Sequence, residues 1–243
     1  MLLTISQKKI DSMVREKKAF VFDWDGTLFD SMAGKTISFS DVVSTYFAEL
    51  SKQIKPELVA VIYRAHSGKP RNEIFLECAK EVKLKLDQKC IDEMSARLFM
   101  YNRNALATSN IFPDAFRLLN VLISQDIEIF ISSSVPQSEL GYFVKTALPE
   151  SIYTRIKKIL GSSNGCNKGR EHLNEISVFS GIQIENIIAI GDDKADFELS
   201  KLAGVDCILV DRDGGRFDGR FPNIIKSLDE LCNLLNQRYS TLS

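Results

Sequence analysis

Beyond residue 110 the chain repeats one pattern: a short, mostly apolar run that ends in small or acidic side chains, then a longer amphipathic stretch. Four such runs are IEIFI (Ile127 to Ile131), KKIL (Lys157 to Leu160), IIAI (Ile187 to Ile190) and CILV (Cys207 to Val210). A fifth, AFVF (Ala19 to Phe22), lies near the N-terminus. Runs with little polar alternation suit strands buried on both faces, as in a parallel sheet. Parallel strands need long crossovers, and DAFRLLNVLI and GREHLNEISVFSG are long enough to be crossover helices. The pattern predicts an α/β fold with a Rossmann-like parallel sheet core in three α/β/α layers. Ligands of such sheets gather at the carboxyl ends of the strands, which is where this chain concentrates its carboxylates.

Residues 30 to 110 break the alternation. Here SFSDVVSTYFAELS, KPELVAVIYRAHS, RNEIFLECAKEV and KCIDEMSARLFMYNRNAL read as consecutive helices with no convincing strand. An all-helical insertion therefore follows the first strand, and the expected division is a core of residues 1–30 and 108–243 with a small helical domain over 31–107. The 243 residues suffice for both. SLDELCNLLNQRY reads as a closing helix, and DRDGGRFDGRF (Asp211 to Phe221) reads as a mobile loop.

With 31 basic and 32 acidic side chains the net charge is −1, which leaves no electrostatic footprint for nucleic acid. No apolar stretch approaches the roughly 18 residues of a membrane-spanning helix. The opening MLLTISQKKIDSMVREKK becomes charged too early for a signal peptide, so the expected location is cytoplasmic and no membrane partner is expected. Five scattered cysteines without a C-x-x-C pair read as reduced thiols. The two histidines, His66 and His172, fit neither a zinc motif nor a serine–histidine hydrolase. G-x-x-x-x-G-K-[ST] and G-x-G-x-x-G are absent, which disfavours nucleotide-binding folds.

The first strand runs directly into Asp23-Trp24-Asp25-Gly26-Thr27-Leu28. Alternation along an extended chain aims the side chains of Asp23 and Asp25 to one side. Two carboxylates held close need a cation between them or a shared proton. A divalent ion with oxygen ligands, Mg²⁺ above all, suits the pair, while an acidic turn closing a strand is the alternative.

The whole string FDWDGTLFDS resembles the first motif of the haloacid dehalogenase superfamily, in its phosphatase and phosphomutase branch. Three further motifs follow in the family's order. IEIFISSSVPQ offers a hydroxyl at the end of the second core strand, with Ser133 as the best match, Ser134 beside it and Ser132 as its rival. GCNKGREHL offers Lys168 shortly before a helix, and IIAIGDDKADF offers Asp192, Asp193 and Asp196. The resemblance spans about residues 18 to 211, with the helical insertion in the place of the family's cap.

It implies a Mg²⁺-dependent phosphatase acting on a small phosphorylated metabolite, in which Asp23 attacks phosphorus and Asp25 is the general acid/base. It also implies a metal held by Asp23, by the backbone carbonyl of Asp25 and by Asp192, with Asp193 and Asp196 orienting its waters and Lys168. Ser133, Ser134 and Lys168 would bind the phosphoryl oxygens. In the helical domain the segment HSGKPRNEIF places Arg71 in an expected inter-helix loop as the candidate specificity residue. A sugar phosphomutase of the same branch is the alternative, and a non-catalytic regulatory module is a third reading. Asp25 disfavours a dehalogenase, and an arginine at the nearest cap position disfavours imine chemistry. A monomer or homodimer is expected.

Overall fold

The computed structural model describes residues 5–66, 68–163, 165–217 and 219–240. The first four residues of the charged N-terminal segment and Asp218 of the Gly- and Arg-rich stretch lie outside the described residues. Two compact units result: one ends at Phe29 and resumes at Ile111, and the other runs Asp30–Asn110.

The first unit is built on six strands: β1 (Ala19–Phe22), β2 (Glu128–Pro136), β3 (Ile156–Ser162), β4 (Ile187–Gly191), β5 (Asp206–Val210) and β6 (Ile224–Ile225). All pair in parallel, in the order β3-β2-β1-β4-β5-β6. The five strands read from the sequence are all present. The sixth escaped because two residues carry no periodic signal. Every residue of β1 is buried, so both faces of the sheet are covered. On one face Ala19, Val21, Phe130, Ala189 and Leu209 pack with Leu173 and Ile176 of a crossover helix, α9 (Arg170–Ser180). Fully burying one such apolar side chain contributes about 1.5–3 kcal/mol.

The remaining helices of this unit are α1 (Ile5–Arg15), α6 (Pro113–Ser124), α7 (Gln137–Ala147), α8 (Glu150–Tyr153), α10 (Lys194–Leu202) and α11 (Asp229–Ser240). Helix α6 starts with proline at its first turn, where the missing N–H costs nothing. Among the described residues no helix is long and apolar enough to cross a membrane.

The second unit is helical throughout: α2 (Met32–Glu49), α3 (Pro56–Ala65), α4 (Arg71–Glu81) and α5 (Gln88–Ala105). Phe39, Val42, Val43, Tyr46 and Phe47 line one stripe of α2 at helical spacing and bury against Ile74, Phe75 and Met94. The Phe39 ring stacks on Tyr63 at 4.6 Å and on Phe75 at 5.0 Å between centroids. Asp87 caps α5, its carboxylate accepting from the Cys90 N–H at 2.8 Å.

Candidate active site

The chain leaves β1 at its carboxyl end, the central position of the sheet. The Asp23 N–H donates to the Ile190 carbonyl at 2.8 Å, extending the ladder one residue past the strand. The backbone then closes a tight turn, in which the N–H groups of Leu28 and Phe29 donate to Trp24 O and the Gly26 N–H donates to Phe29 O. Gly26 has φ +79°, and a Cβ there would stand 2.4 Å from the Asp192 carboxylate. Glycine is thus demanded twice, by conformation and by the approach of Asp192. Trp24 is fully buried and stacks on Phe29 at 5.1 Å. Asp25 lies in this turn, half-buried, and not in the strand.

Three carboxylates converge here: Asp23, Asp192 and Asp196 are buried, with one oxygen of each within 4.8 Å of the others. Lys168 reaches between them, its ammonium 2.6 Å from Asp23 Oδ1 and 2.5 Å from Asp196 Oδ1. Asp196 Oδ2 accepts from the Asp193 N–H at 3.0 Å while the Asp193 carboxylate accepts from the Ala195 N–H at 2.9 Å. This capping box opens α10 and leaves both Asp196 oxygens engaged. Gly191 makes room, since a Cβ there would lie 2.1 Å from Asp196 Cγ.

Burial disfavours charge on these groups and raises the Asp23 pKa well above its ordinary value, although the Lys168 ammonium pulls the other way. Burial, with Asp196 adding to it, pushes Asp192 up to about 6 against the partial relief of Arg216. Lys168 loses some basicity to burial, but Asp196 and Asp23 outweigh that and hold it firmly protonated. Three carboxylates around one ammonium, with oxygen donors only, fit a hard divalent cation such as Mg²⁺.

The parallel register pairs Phe22 with Ile131, and its continuation sets Asp23 beside Ser132. Asp23, Ser132, Lys168 and Asp196 share a cavity of about 20 Å³. Ser133, the better match by sequence, is buried one residue further on, and its hydroxyl accepts from the Val135 N–H at 3.2 Å. Ser134 is half-buried at the end of the strand. The register of β2 shifts between Ser132 and Pro136, so strand alternation does not choose between Ser132 and Ser133 as the hydroxyl that meets a phosphoryl group.

The segment read as a mobile loop is instead fastened along residues 211–216. Asp211 accepts from the N–H groups of Gly214 and Arg216, both at 3.1 Å. Arg212 donates to the carbonyls of Thr27 at 2.8 Å and Gly26 at 3.4 Å, pairs with Asp114 at 2.7 Å and lies 3.8 Å over the Phe112 ring. Arg216 pairs with Asp192 at 2.9 Å. Neither arginine stands out in the sequence, where glycine and charge read as solvated loop. The one local signal was the acid–Arg–acid–Gly-Gly spacing, since an aspartate readily accepts from N–H groups a few residues on.

Arg71 also differs from expectation. It is the first residue of α4 and not a loop residue, half-buried, with a guanidinium N–H 3.4 Å from the Ser95 carbonyl of α5.

Residues 20–210 match the family model for haloacid dehalogenase-like hydrolases. Among curated proteins none matches the chain by sequence. Solved structures with the same fold include one described as a predicted phosphoglycolate phosphatase from Haemophilus somnus 129PT. It has a TM-score of 0.70 and 16% identity over 90% of this chain and 98% of the other. CbbY from Rhodobacter sphaeroides, solved with phosphate, gives a TM-score of 0.71 at 15% identity over 90% and 99%. A structure assigned as a beta-phosphoglucomutase from Thermotoga maritima gives 0.64 at 17% identity over 90% and 99%. At these identities the likeness is one of fold.

Proposed function

The chain belongs to the haloacid dehalogenase-like hydrolase family, and we propose that it is a Mg²⁺-dependent phosphatase of small phosphate monoesters, with Asp23 as nucleophile. The observation that carries the reading is Lys168, bridging Asp23 and Asp196 beside Asp192. Phosphoryl transfer needs an in-line attacker in a site where the dianion's charge is offset, and this cluster supplies both.

A carboxylate oxygen of Asp23 attacks phosphorus as the bond from phosphorus to the leaving oxygen breaks, giving an aspartyl-phosphate. Asp25 gives its proton to that leaving oxygen. Water then attacks phosphorus, Asp25 takes back a proton, and cleavage of the bond from phosphorus to Asp23 releases inorganic phosphate. Lys168 holds one Asp23 oxygen, orients the carboxylate and neutralises part of the incoming charge. A hydroxyl at the end of β2, Ser133 or its neighbour Ser132, donates to a phosphoryl oxygen. Oxygens of Asp23 and Asp192, with the Asp25 carbonyl, would hold Mg²⁺, which offsets the charge that builds on the phosphoryl group. Asp193 and Asp196 fix the start of α10 and thereby the position of Lys168.

The helical unit carries no part of this chemistry, so we assign it the family's cap role of selecting the substrate, with Arg71 as the candidate anion contact. Arg71→Ala is then expected to raise KM several-fold, with a thermal midpoint lowered by no more than a few degrees through loss of its contact with the Ser95 carbonyl; an unaltered KM removes Arg71 from the reading. The mechanism is tested with a panel of phosphorylated metabolites and an aryl phosphate in Mg²⁺, measuring phosphate release. Asp23→Asn is expected to abolish release, and full activity in that variant refutes the nucleophile. Isomerisation of a hexose 1-phosphate without net phosphate release would favour a mutase instead.

A further inference from the structure

The peptide that follows Asp25 is the conformationally freest point of the turn after β1, because Gly26 has no Cβ and stands at φ +79°. On the reading above, that peptide carries the carbonyl that would meet the metal, and its orientation aims the Asp25 carboxylate. Its N–H is held by the Phe29 carbonyl at 2.9 Å. The next two carbonyls are held by one side chain. Thr27 is fully buried, and a buried carbonyl needs a donor. Arg212 supplies it, with Nη2 2.8 Å from Thr27 O and Nε 3.4 Å from Gly26 O.

Arg212 is itself fixed. Its Nη1 pairs with Asp114 Oδ2 at 2.7 Å, and its guanidinium carbon lies 3.8 Å from the centre of the Phe112 ring. The same Asp114 oxygen accepts from the Ser227 hydroxyl at 2.8 Å and from the Leu228 N–H at 2.9 Å, while Asp114 Oδ1 accepts from the Ala115 N–H at 2.8 Å. The first turn of α6 and the segment before α11 thus brace the guanidinium. All three of its nitrogens have acceptors, shared between this brace and the turn. A lysine ammonium, a compact charge without the planar fork, cannot span both.

We propose that Arg212 is a positioning residue: by holding the carbonyls of Gly26 and Thr27 it fixes the peptide after Asp25, and so sets the Asp25 carbonyl for Mg²⁺ and the Asp25 carboxylate for proton transfer. The inference rests on the reading of Asp23 and Asp25 as a Mg²⁺-assisted pair. No bond forms or breaks at Arg212, which acts through the turn and not on the substrate.

Three readouts test it: amide hydrogen exchange at Gly26, Mg²⁺ affinity by calorimetry, and the split between kcat and KM for an aryl phosphate. Arg212→Met keeps the apolar stem and removes the fork. It is expected to speed exchange at Gly26 about tenfold or more, the worth of one hydrogen bond to a charged group. Mg²⁺ affinity and kcat are each expected to fall about tenfold with KM little changed, since the displaced Asp25 acts in the transition state. Arg212→Lys, which keeps the charge alone, should recover only part of these losses. Val205→Ala controls for stability: Val205 is 5% exposed in the core just before β5, at the end of the sheet opposite the carboxylates. It should lower the thermal midpoint and leave Mg²⁺ affinity and kcat unchanged. Unchanged exchange at Gly26 in Arg212→Met overturns the proposal, as does faster exchange with unaltered Mg²⁺ affinity and kcat. Full recovery in Arg212→Lys, or equal losses in Val205→Ala, overturns it as well. If Arg212→Met frees Gly26 and weakens Mg²⁺ binding in a protein that hydrolyses no phosphate ester, the phosphatase reading alone is refuted.

Discussion

Replacing Asp192 by Asn is expected to stabilise the protein in EDTA while removing its response to Mg²⁺. Asp192 is 5% exposed and lies beside Asp196, so folding forces its charge into a poorly solvated, already acidic place. Its pKa accordingly rises from 3.8 to about 6, a figure that already contains the attraction of Arg216. At about 1.36 kcal/mol per pH unit this corresponds to about 3 kcal/mol of lost stability once the group is ionised. That is an upper limit, because relaxation and water penetration reduce the effective burial penalty. A carboxyl whose folded pKa lies above its unfolded one binds its proton more tightly in the folded state. The wild type therefore loses this stability as pH rises from about 4 through 6, and the loss is constant above. Asparagine has nearly the shape of the protonated acid and escapes the loss. In a chain of this size the gain at pH 7.5 corresponds to a rise of roughly 6 to 12 °C at most in the thermal midpoint. Thermal or urea denaturation in EDTA at pH 7.5 and pH 4 reads the effect, followed by the same melts in Mg²⁺. Mg²⁺ should raise the wild-type midpoint and leave Asp192→Asn unmoved. A variant no more stable than wild type at pH 7.5, or a gain that persists undiminished at pH 4, would refute burial of the charge as the cause.

Two further substitutions probe neighbouring elements. Ser132→Ala and Ser133→Ala separate the two candidate hydroxyls: truncating the phosphate ligand should cut phosphate release tenfold or more, while the other variant keeps its turnover, Ser133→Ala in that case losing only its bond from the Val135 N–H, about 1 kcal/mol of stability; full turnover in both would remove the end of β2 from the site. Arg216→Ala removes the cation that occupies Asp192 Oδ2, so calorimetry should find Mg²⁺ bound several-fold more tightly, and weaker binding would make Arg216 a support of the metal site and not a competitor.

Much of the architecture was legible in the chain because parallel strands buried on both faces must be short apolar runs, and their crossovers must be amphipathic. Ala19–Phe22, Ile187–Gly191 and Asp206–Val210 carry that period directly, and the run of helices from Met32 to Ala105 carries the other. Asp23 and Asp192 were legible for a related reason, since each directly follows a strand, where side chains of a parallel sheet can meet, whereas Lys168, six residues beyond β3, was legible only through the family resemblance. The choice between Ser132 and Ser133 was not, because a run of three serines has no internal phase. Strand pairing sets Ser132 on the void that Asp23 also lines, and the shifted register beyond it leaves the choice to experiment. Likewise Arg212, Arg216 and His172 look like loop charge and an ordinary helix residue until folding brings them against Thr27, Asp192 and Ser132. Local sequence determined the elements and the acidic strand ends, since those depend on periodicity over a few residues. Tertiary structure alone decided the distant partners of Ser132, Thr27 and Asp192, because a hydrogen bond between residues 24 to 185 positions apart leaves no trace in local pattern.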